Sequence, residues 1–250
     1  MIEKYFGAPA PEIAFREEAY PGYAAPIIPP AHEDGHPSDR RECIAAVFGL
    51  NPAWSKDGKN YRATYNARSE TIFSKPSYRH AWKKRQLAIV PMAAFYEPNY
   101  ETGKPIRWRI EREDRKPFGV AAIYDQWKNP NGEWIPSFSL ITVNANQNPV
   151  MGRFHAPGDE KRSIIVIDPD NYAACCTPAP MKPSPILRRY RPTPLRRSPP
   201  RRSSRPRESP KPREIELAVL MLDAETLHLR SPAGHYLALP RHRCSGARYH

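Results

Sequence analysis

The chain has no long apolar run. Its longest apolar stretches, such as Leu87 to Val90, are far too short to cross a bilayer as a helix, which excludes an α-helical membrane protein. The N-terminus, Met1-Ile2-Glu3-Lys4-Tyr5-Phe6-Gly7, has neither an apolar h-region nor a cleavage signature, so no secretory leader is expected. Cysteine is scarce: Cys43, Cys175, Cys176 and Cys244 form no CxxC pair and have no histidine at zinc spacing. No structural zinc site or other metal is expected, and a cytoplasmic protein with reduced thiols is the simplest reading. Helix-rich patterning is missing too. What is abundant is proline, with 31 residues in 250, and positive charge, with a formal net of +13.

The location of that charge matters more than its size. The segment from Cys175 to Arg213 holds 10 Arg, 2 Lys and 1 Glu, so it carries +11 and leaves only +2 for the remaining 211 residues. A basic isoelectric point ordinarily points to nucleic acid. Here it says little about the folded part.

Strand-like runs fill residues 43–167. They are Cys43 to Gly49, Leu87 to Val90, Ile106 to Ile110, Phe118 to Tyr124, Phe138 to Asn144 and Ser163 to Ile167. Ile106-Arg107-Trp108-Arg109-Ile110 alternates with period two, as a half-exposed strand does. Gly103 and Asn129-Pro130-Asn131-Gly132 supply turns. Helices are expected near Ile2 to Phe6, Ala67 to Ser74 and Ser77 to Lys84. The fold class that follows is α+β, with an antiparallel, barrel-like β core and a few short helices, over residues 1–174.

After Ala174 the text changes character. Residues 175–213 hold 11 prolines in 39 positions and no apolar periodicity, so they cannot bury a core; residues 214–250 are left unassigned. One reading is a disordered Pro/Arg-rich tail that meets nucleic acid electrostatically. The other is translation out of frame. With permissible codon choices, one nucleotide restored at codon 175 would convert Cys-Cys-Thr-Pro to Trp-Leu-His-Ala, and the shifted text would read like helix and strand. The nucleotides around codon 175 distinguish the two.

The most informative stretch is Asn66-Ala67-Arg68-Ser69-Glu70-Thr71, with an amide, a guanidinium, a hydroxyl and a carboxylate in six residues. Its simplest structural reading is a helix start with Asn66 as N-cap and Glu70 in the first turn. Three patches accompany it. Phe95-Tyr96-Glu97 ends an apolar strand, where burial would raise a carboxyl pKa. Phe154-His155 is followed by Lys161-Arg162. Gly49-Leu50-Asn51-Pro52-Ala53-Trp54 gives an aromatic turn.

In this order and spacing the patches resemble the SRAP family, the SOS-response-associated peptidases or abasic-site processing proteins, with Thr142-Val143-Asn144-Ala145 also fitting. Phe48 and Pro98 stand where many members have Trp, and Gln86 where many have Cys. The resemblance implies a DNA-damage protein that grips single-stranded DNA at abasic sites and bonds to it covalently, as a monomer and without a cofactor. The nucleophile would be a cysteine directly after the initiator methionine, forming a Schiff base and then a thiazolidine with the sugar aldehyde. By position, Asn66 would orient the amine or sugar oxygen, Glu97 would shuttle protons, and His155 would polarise the sugar oxygen. Arg68, Ser69 and Arg162 would contact DNA, and Trp54 would stack on a base or wedge the strand.

This chain has Ile2 at the nucleophile's place and no cysteine before Cys43. Either Met1 is an internal methionine with a Met-Cys start upstream, or the chain is a non-crosslinking member that only binds DNA. A non-enzymatic basic nucleic-acid-binding protein is the alternative function. No Ser/His/Asp or Cys/His arrangement supports a general protein hydrolase beyond self-processing.

Overall fold

The computed structural model describes residues 1–30, 32–33, 36–37, 41–148, 150–172, 195–198 and 219–221. In chain order the elements are α1 (Ile2–Phe6), β1 (Glu18–Ala19), β2 (Ala24–Ile27), β3 (His32–Glu33), β4 (His36–Pro37), β5 (Ile44–Phe48), α2 (Tyr61–Thr64) and β6 (Asn66–Arg68). Then come α3 (Arg79–Lys83), β7 (Leu87–Asn99), β8 (Ile106–Arg112), β9 (Phe118–Lys128), β10 (Trp134–Asn144), β11 (Arg162–Ile164), β12 (Val166–Ile167), β13 (Leu195–Ser198) and β14 (Val219–Met221). Twelve strands form one curled sheet, and β3 and β4 pair separately. The sheet is mostly antiparallel, as expected, but β10 takes both β5 and β6 in parallel.

The long strands β7, β9 and β10 are adjacent in that order, and among them β8 pairs only with the far part of β7. These three are built from apolar residues on both faces, because both faces are covered. Ala88, Val90 and Met92 of β7, Phe118, Val120 and Ala122 of β9, and Phe138 and Leu140 of β10 turn into the barrel core with Phe48. The alternate residues Ile89, Ala121, Ile123 and Ile141 pack outward against Ile2 and Phe6 of α1 and Ala81 of α3. Each strand's period-two alternation thus splits one apolar run between two cores.

One strand breaks that period. On β7, Met92 faces the barrel core, yet so does Phe95, while Ala94 and Tyr96 lie on the other side with Tyr20. The strand shifts phase by one residue between Met92 and Phe95, where it leaves β9 and continues along β8. Glu97, two residues beyond Phe95, is thereby carried to the barrel side.

The helix expected over Ala67 to Ser74 is absent, and Asn66 caps nothing. Asn66–Arg68 is a strand opposite Leu140, Ile141 and Thr142 of β10, followed by turns in which Ile72 N–H donates to Arg68 C=O at 2.9 Å. The apolar slot beside β10, which takes Ala67 fully buried, overrides local preference. The expected helix at Ser77 to Lys84 contracts to α3. Residues 175–250 lie outside the described residues apart from the backbones of β13, paired with β8, and β14, paired with β7 and β1.

Candidate active site

Glu97 sits near the C-terminal end of β7, opposite Trp108 of β8. The Trp108 ring meets Phe154 edge-on at 6.2 Å, and Phe154 is fully buried. Burial beside these rings raises the Glu97 carboxyl to a pKa of about 8, so at neutral pH it carries its proton and can donate. Its Oε2 lies 3.8 Å from Nε2 of His155. The two are too far apart for a direct hydrogen bond, so each keeps an edge free for a third atom.

His155 is held by its backbone. Its N–H donates to the Pro98 carbonyl at 3.0 Å, Asn99 bridges to Phe154, and the Lys161 ammonium donates to the His155 and Ala156 carbonyls at 3.2 and 2.7 Å. The residue adopts φ +68°, a left-handed conformation uncommon outside glycine. Burial, and then the Lys161 charge, push its pKa below the ordinary histidine value. At neutral pH the pair is therefore a carboxylic acid beside a neutral imidazole.

Asn66 and Arg68 share one face of β6. Because their β10 partner Leu140 belongs to the barrel core, that face is the barrel side, as it is for Glu97. Arg68 is exposed, and its Nη1 donates to Glu160 Oε2 at 2.7 Å. Arg162, at the start of β11, is mostly buried and crowded with acceptors. Its two Nη atoms grip Glu70 at 3.1 and 2.9 Å, Nη1 also reaches Glu160 at 2.8 Å, and Nη2 reaches the Thr142 carbonyl at 2.8 Å. Ser69 donates its N–H to the Thr142 carbonyl at 2.9 Å. Glu70 is thus an ion-pair partner: burial pushes its carboxyl up, but the hydrogen bond and charge of Arg162 hold it below the ordinary value.

Four buried side-chain polar atoms among the described residues have no hydrogen-bond partner: Asn66 Oδ1, His155 Nδ1, Arg162 Nε and Gln86 Oε1. Three belong to residues singled out by sequence. A buried unsatisfied polar atom typically destabilises by about 1–3 kcal/mol, so such an atom asks for a role other than stability.

Trp54 stands apart from this group. It is 58% exposed and lines a cleft of about 420 Å³ with Pro76, Arg79, His80 and Asp125, beside α3. Cys43 is buried, with its thiol pushed up to about 12, which removes it as a thiolate nucleophile. Among the described residues no cluster of His, Cys, Asp or Glu is placed to hold a metal ion, and no helix is long and apolar enough to cross a membrane. Sequence reasoning missed Glu160, Lys161 as the clamp on His155, and the Trp108–Phe154 wall. The charged run Asp159-Glu160-Lys161-Arg162 was the available signal.

The family described as SOS response associated peptidase (SRAP) matches over residues 4–197. Abasic site processing protein YoqW of Bacillus subtilis is 33% identical over 101 residues, which are 40% of this chain and 45% of that protein. Abasic site processing protein HMCES of Gallus gallus is 29% identical over 133 residues, covering 44% of this chain and 40% of that protein. The chain thus spans less than half the length of these curated relatives. A crystal structure of a protein from Bordetella bronchiseptica superposes with TM-score 0.63 at 31% identity, over 70% of this chain and 82% of that one.

Proposed function

From the chain's membership of the SRAP family, on which the match over residues 4–197 leaves no ambiguity, we propose that it recognises and processes abasic sites in single-stranded DNA. The observation that carries the proposal is the neutral acid–imidazole pair, Glu97 and His155, on the same barrel side as Asn66, with orphaned polar atoms on both His155 and Asn66. An abasic sugar in its open form is an aldehyde beside a hydroxyl. Protonated Glu97 donates to the aldehyde oxygen as an amine attacks, and recovers a proton from the ammonium nitrogen so formed. It donates again to the carbinolamine hydroxyl as that leaves as water, and is restored by the proton of the iminium. His155 polarises the neighbouring sugar oxygen. The Asn66 amide holds the amine or the sugar. Such proton transfer contributes typically about 10²–10⁴-fold.

The covalent step requires a primary amine and a thiol on one residue. The amine condenses with the aldehyde to an imine, releasing water, and the thiol then adds across the C=N bond to close a thiazolidine, with no net redox change. An N-terminal cysteine supplies both groups, and the same amine becomes free only when a preceding methionine is removed, which accounts for a self-processing peptidase activity. In these 250 residues position 2 is Ile. Residues 1–250 are therefore expected to prefer abasic over intact single-stranded DNA without forming a stable crosslink. Competition binding followed by a denaturing gel tests this. Equal affinity for the two oligonucleotides overturns the recognition, and a covalent shifted band overturns the assignment of the nucleophile.

The +11 charge of residues 175–213 favours a second reading, sequence-independent electrostatic binding. Replacing the ten arginines of that segment by glutamine separates the two. Loss of nearly all DNA binding and of its salt dependence supports the second, and a retained abasic preference supports the first.

A further inference from the structure

Glu160 lies on the loop between His155 and β11, past a turn in which Asp159 N–H donates to the Ala156 carbonyl at 3.1 Å. Its carboxylate bridges three donors from three elements. Oε2 accepts from Arg68 Nη1 of β6 at 2.7 Å, and Oε1 accepts from Arg162 Nη1 of β11 at 2.8 Å and from Asn144 Nδ2 of β10 at 2.9 Å. Two guanidiniums and an amide converging on two oxygens of one anion form the recognition pattern of a phosphodiester, whose two non-bridging oxygens present the same pair of acceptors. Glu70 differs. It grips Arg162 with both oxygens and also accepts the Asn144 N–H at 3.3 Å, so it belongs to the frame. Glu160 is solvent-facing, and exposed ion pairs are weak and salt-screened.

We propose that the Glu160 carboxylate holds the place of a DNA backbone phosphate, and that it gates this anion site by having to swing out before a phosphate can bridge Arg68, Arg162 and Asn144. The inference rests on the reading of the chain as a single-stranded DNA binder. It adds that the arginines are not free cations awaiting DNA but are neutralised until displacement. Departure of Glu160 frees Arg68 and the Nη1 edge of Arg162, while Glu70 keeps Arg162 in place. Displacement also makes binding selective, since a diffuse anion that cannot satisfy all three donors gains little over the carboxylate it replaces.

The test is fluorescence anisotropy with an intact fifteen-nucleotide oligothymidylate, which has no aldehyde and so isolates phosphate binding. It is run across salt for wild type, Glu160→Gln, Arg68→Gln and the double variant, with thermal melting to confirm equal folding. Glu160→Gln is expected to bind about three- to tenfold tighter at low salt, with a log–log salt slope steeper by roughly the 0.7 that one neutralised phosphate adds on a single strand. The double variant is expected to lose that gain. Unchanged or weaker binding by Glu160→Gln overturns the gate, as does a gain that persists in the double variant, which would reflect net charge alone. Unchanged binding by Arg68→Gln instead overturns the phosphate reading beneath it.

Discussion

The Nε2 atom of His155 lies 3.8 Å from Oε2 of Glu97, and the His155 peptide N–H is tied to Pro98, the residue directly after that glutamate. One strand end therefore fixes both partners of the acid–imidazole pair. Their separation is set by backbone hydrogen bonding and not by mutual attraction.

The raised Glu97 pKa has a sign that can be checked in stability. Between an ordinary carboxyl value of 4.5 and the folded value of about 8, the folded chain holds a proton that the unfolded chain has lost. Stability from this group is complete below 4.5 and falls as pH rises toward 8, at most by about 1.4 kcal/mol per pH unit. Glu97→Gln, permanently neutral, is expected to flatten that decline and to melt higher than wild type at pH 8. It should also weaken the preference for abasic over intact single-stranded DNA. Denaturant unfolding from pH 5 to 8 decides the first point, and a variant that shows the same decline as wild type would contradict it.

Backbone conformation singles out His155 from the opposite direction. Asn accepts a left-handed conformation readily and a β-branched residue does not. His155→Asn should retain the wild-type melting temperature closely, whereas His155→Val should lose about 1–2 kcal/mol more than His155→Asn. Both should lose the preference for abasic over intact single-stranded DNA. Equal stability of the two variants would mean that the +68° conformation imposes no constraint.

Gly49 closes β5 with φ +103°, and a Cβ there would sit 2.4 Å from Tyr61 Cβ and 2.5 Å from Tyr61 Cα. The conflict is with backbone, so rotation of a side chain cannot relieve it. Gly49→Ala is expected to destabilise by about 2–4 kcal/mol, combining left-handed strain with overpacking. Chemical denaturation measures it, and a loss below about 1 kcal/mol, the scale of an ordinary surface change, would count against the clash.

Trp54 offers a cleaner separation of forces, since it is exposed and its Nε1 makes only a long 3.4 Å contact to the Pro76 carbonyl. If its ring stacks on a base, Trp54→Ala weakens single-stranded DNA binding by about 1–3 kcal/mol while leaving the salt slope unchanged. Arg68→Gln should change the slope. Affinity titrations at three salt concentrations distinguish these outcomes, and a Trp54 variant with wild-type affinity removes the residue from the interface.

Much of the sheet was legible because its strands are apolar and bounded by turn residues. Gly103 and Gly132 turn where expected, each donating to a carbonyl three residues back at 2.9 Å, and α1 matches its expected span. Asn66–Arg68 was not legible. Three residues with two polar side chains carry no period, and Asn followed by Glu four residues on imitates a helix start. Only the parallel slot beside β10 makes them a strand. The chemistry-bearing residues were named from sequence, but their electrostatics were not. Arg68 and Arg162 read as free cations until the fold brings Glu160 and Glu70, each 92 positions from its arginine, against them. Contacts at that separation are properties of the topology.

The one-residue slip in β7 has a consequence for anyone who edits this protein. Which side chain faces the barrel is decided by parity: strict alternation counted forward from Met92 would turn Tyr96 inward and Glu97 outward, and only the extra residue between Met92 and Phe95 brings Glu97 in. Homologues should therefore be aligned through this strand by counting from the glutamate backwards. The slip, not the motif, is what puts the carboxyl on the barrel side, and a motif search that reads Phe95-Tyr96-Glu97 alone does not register it.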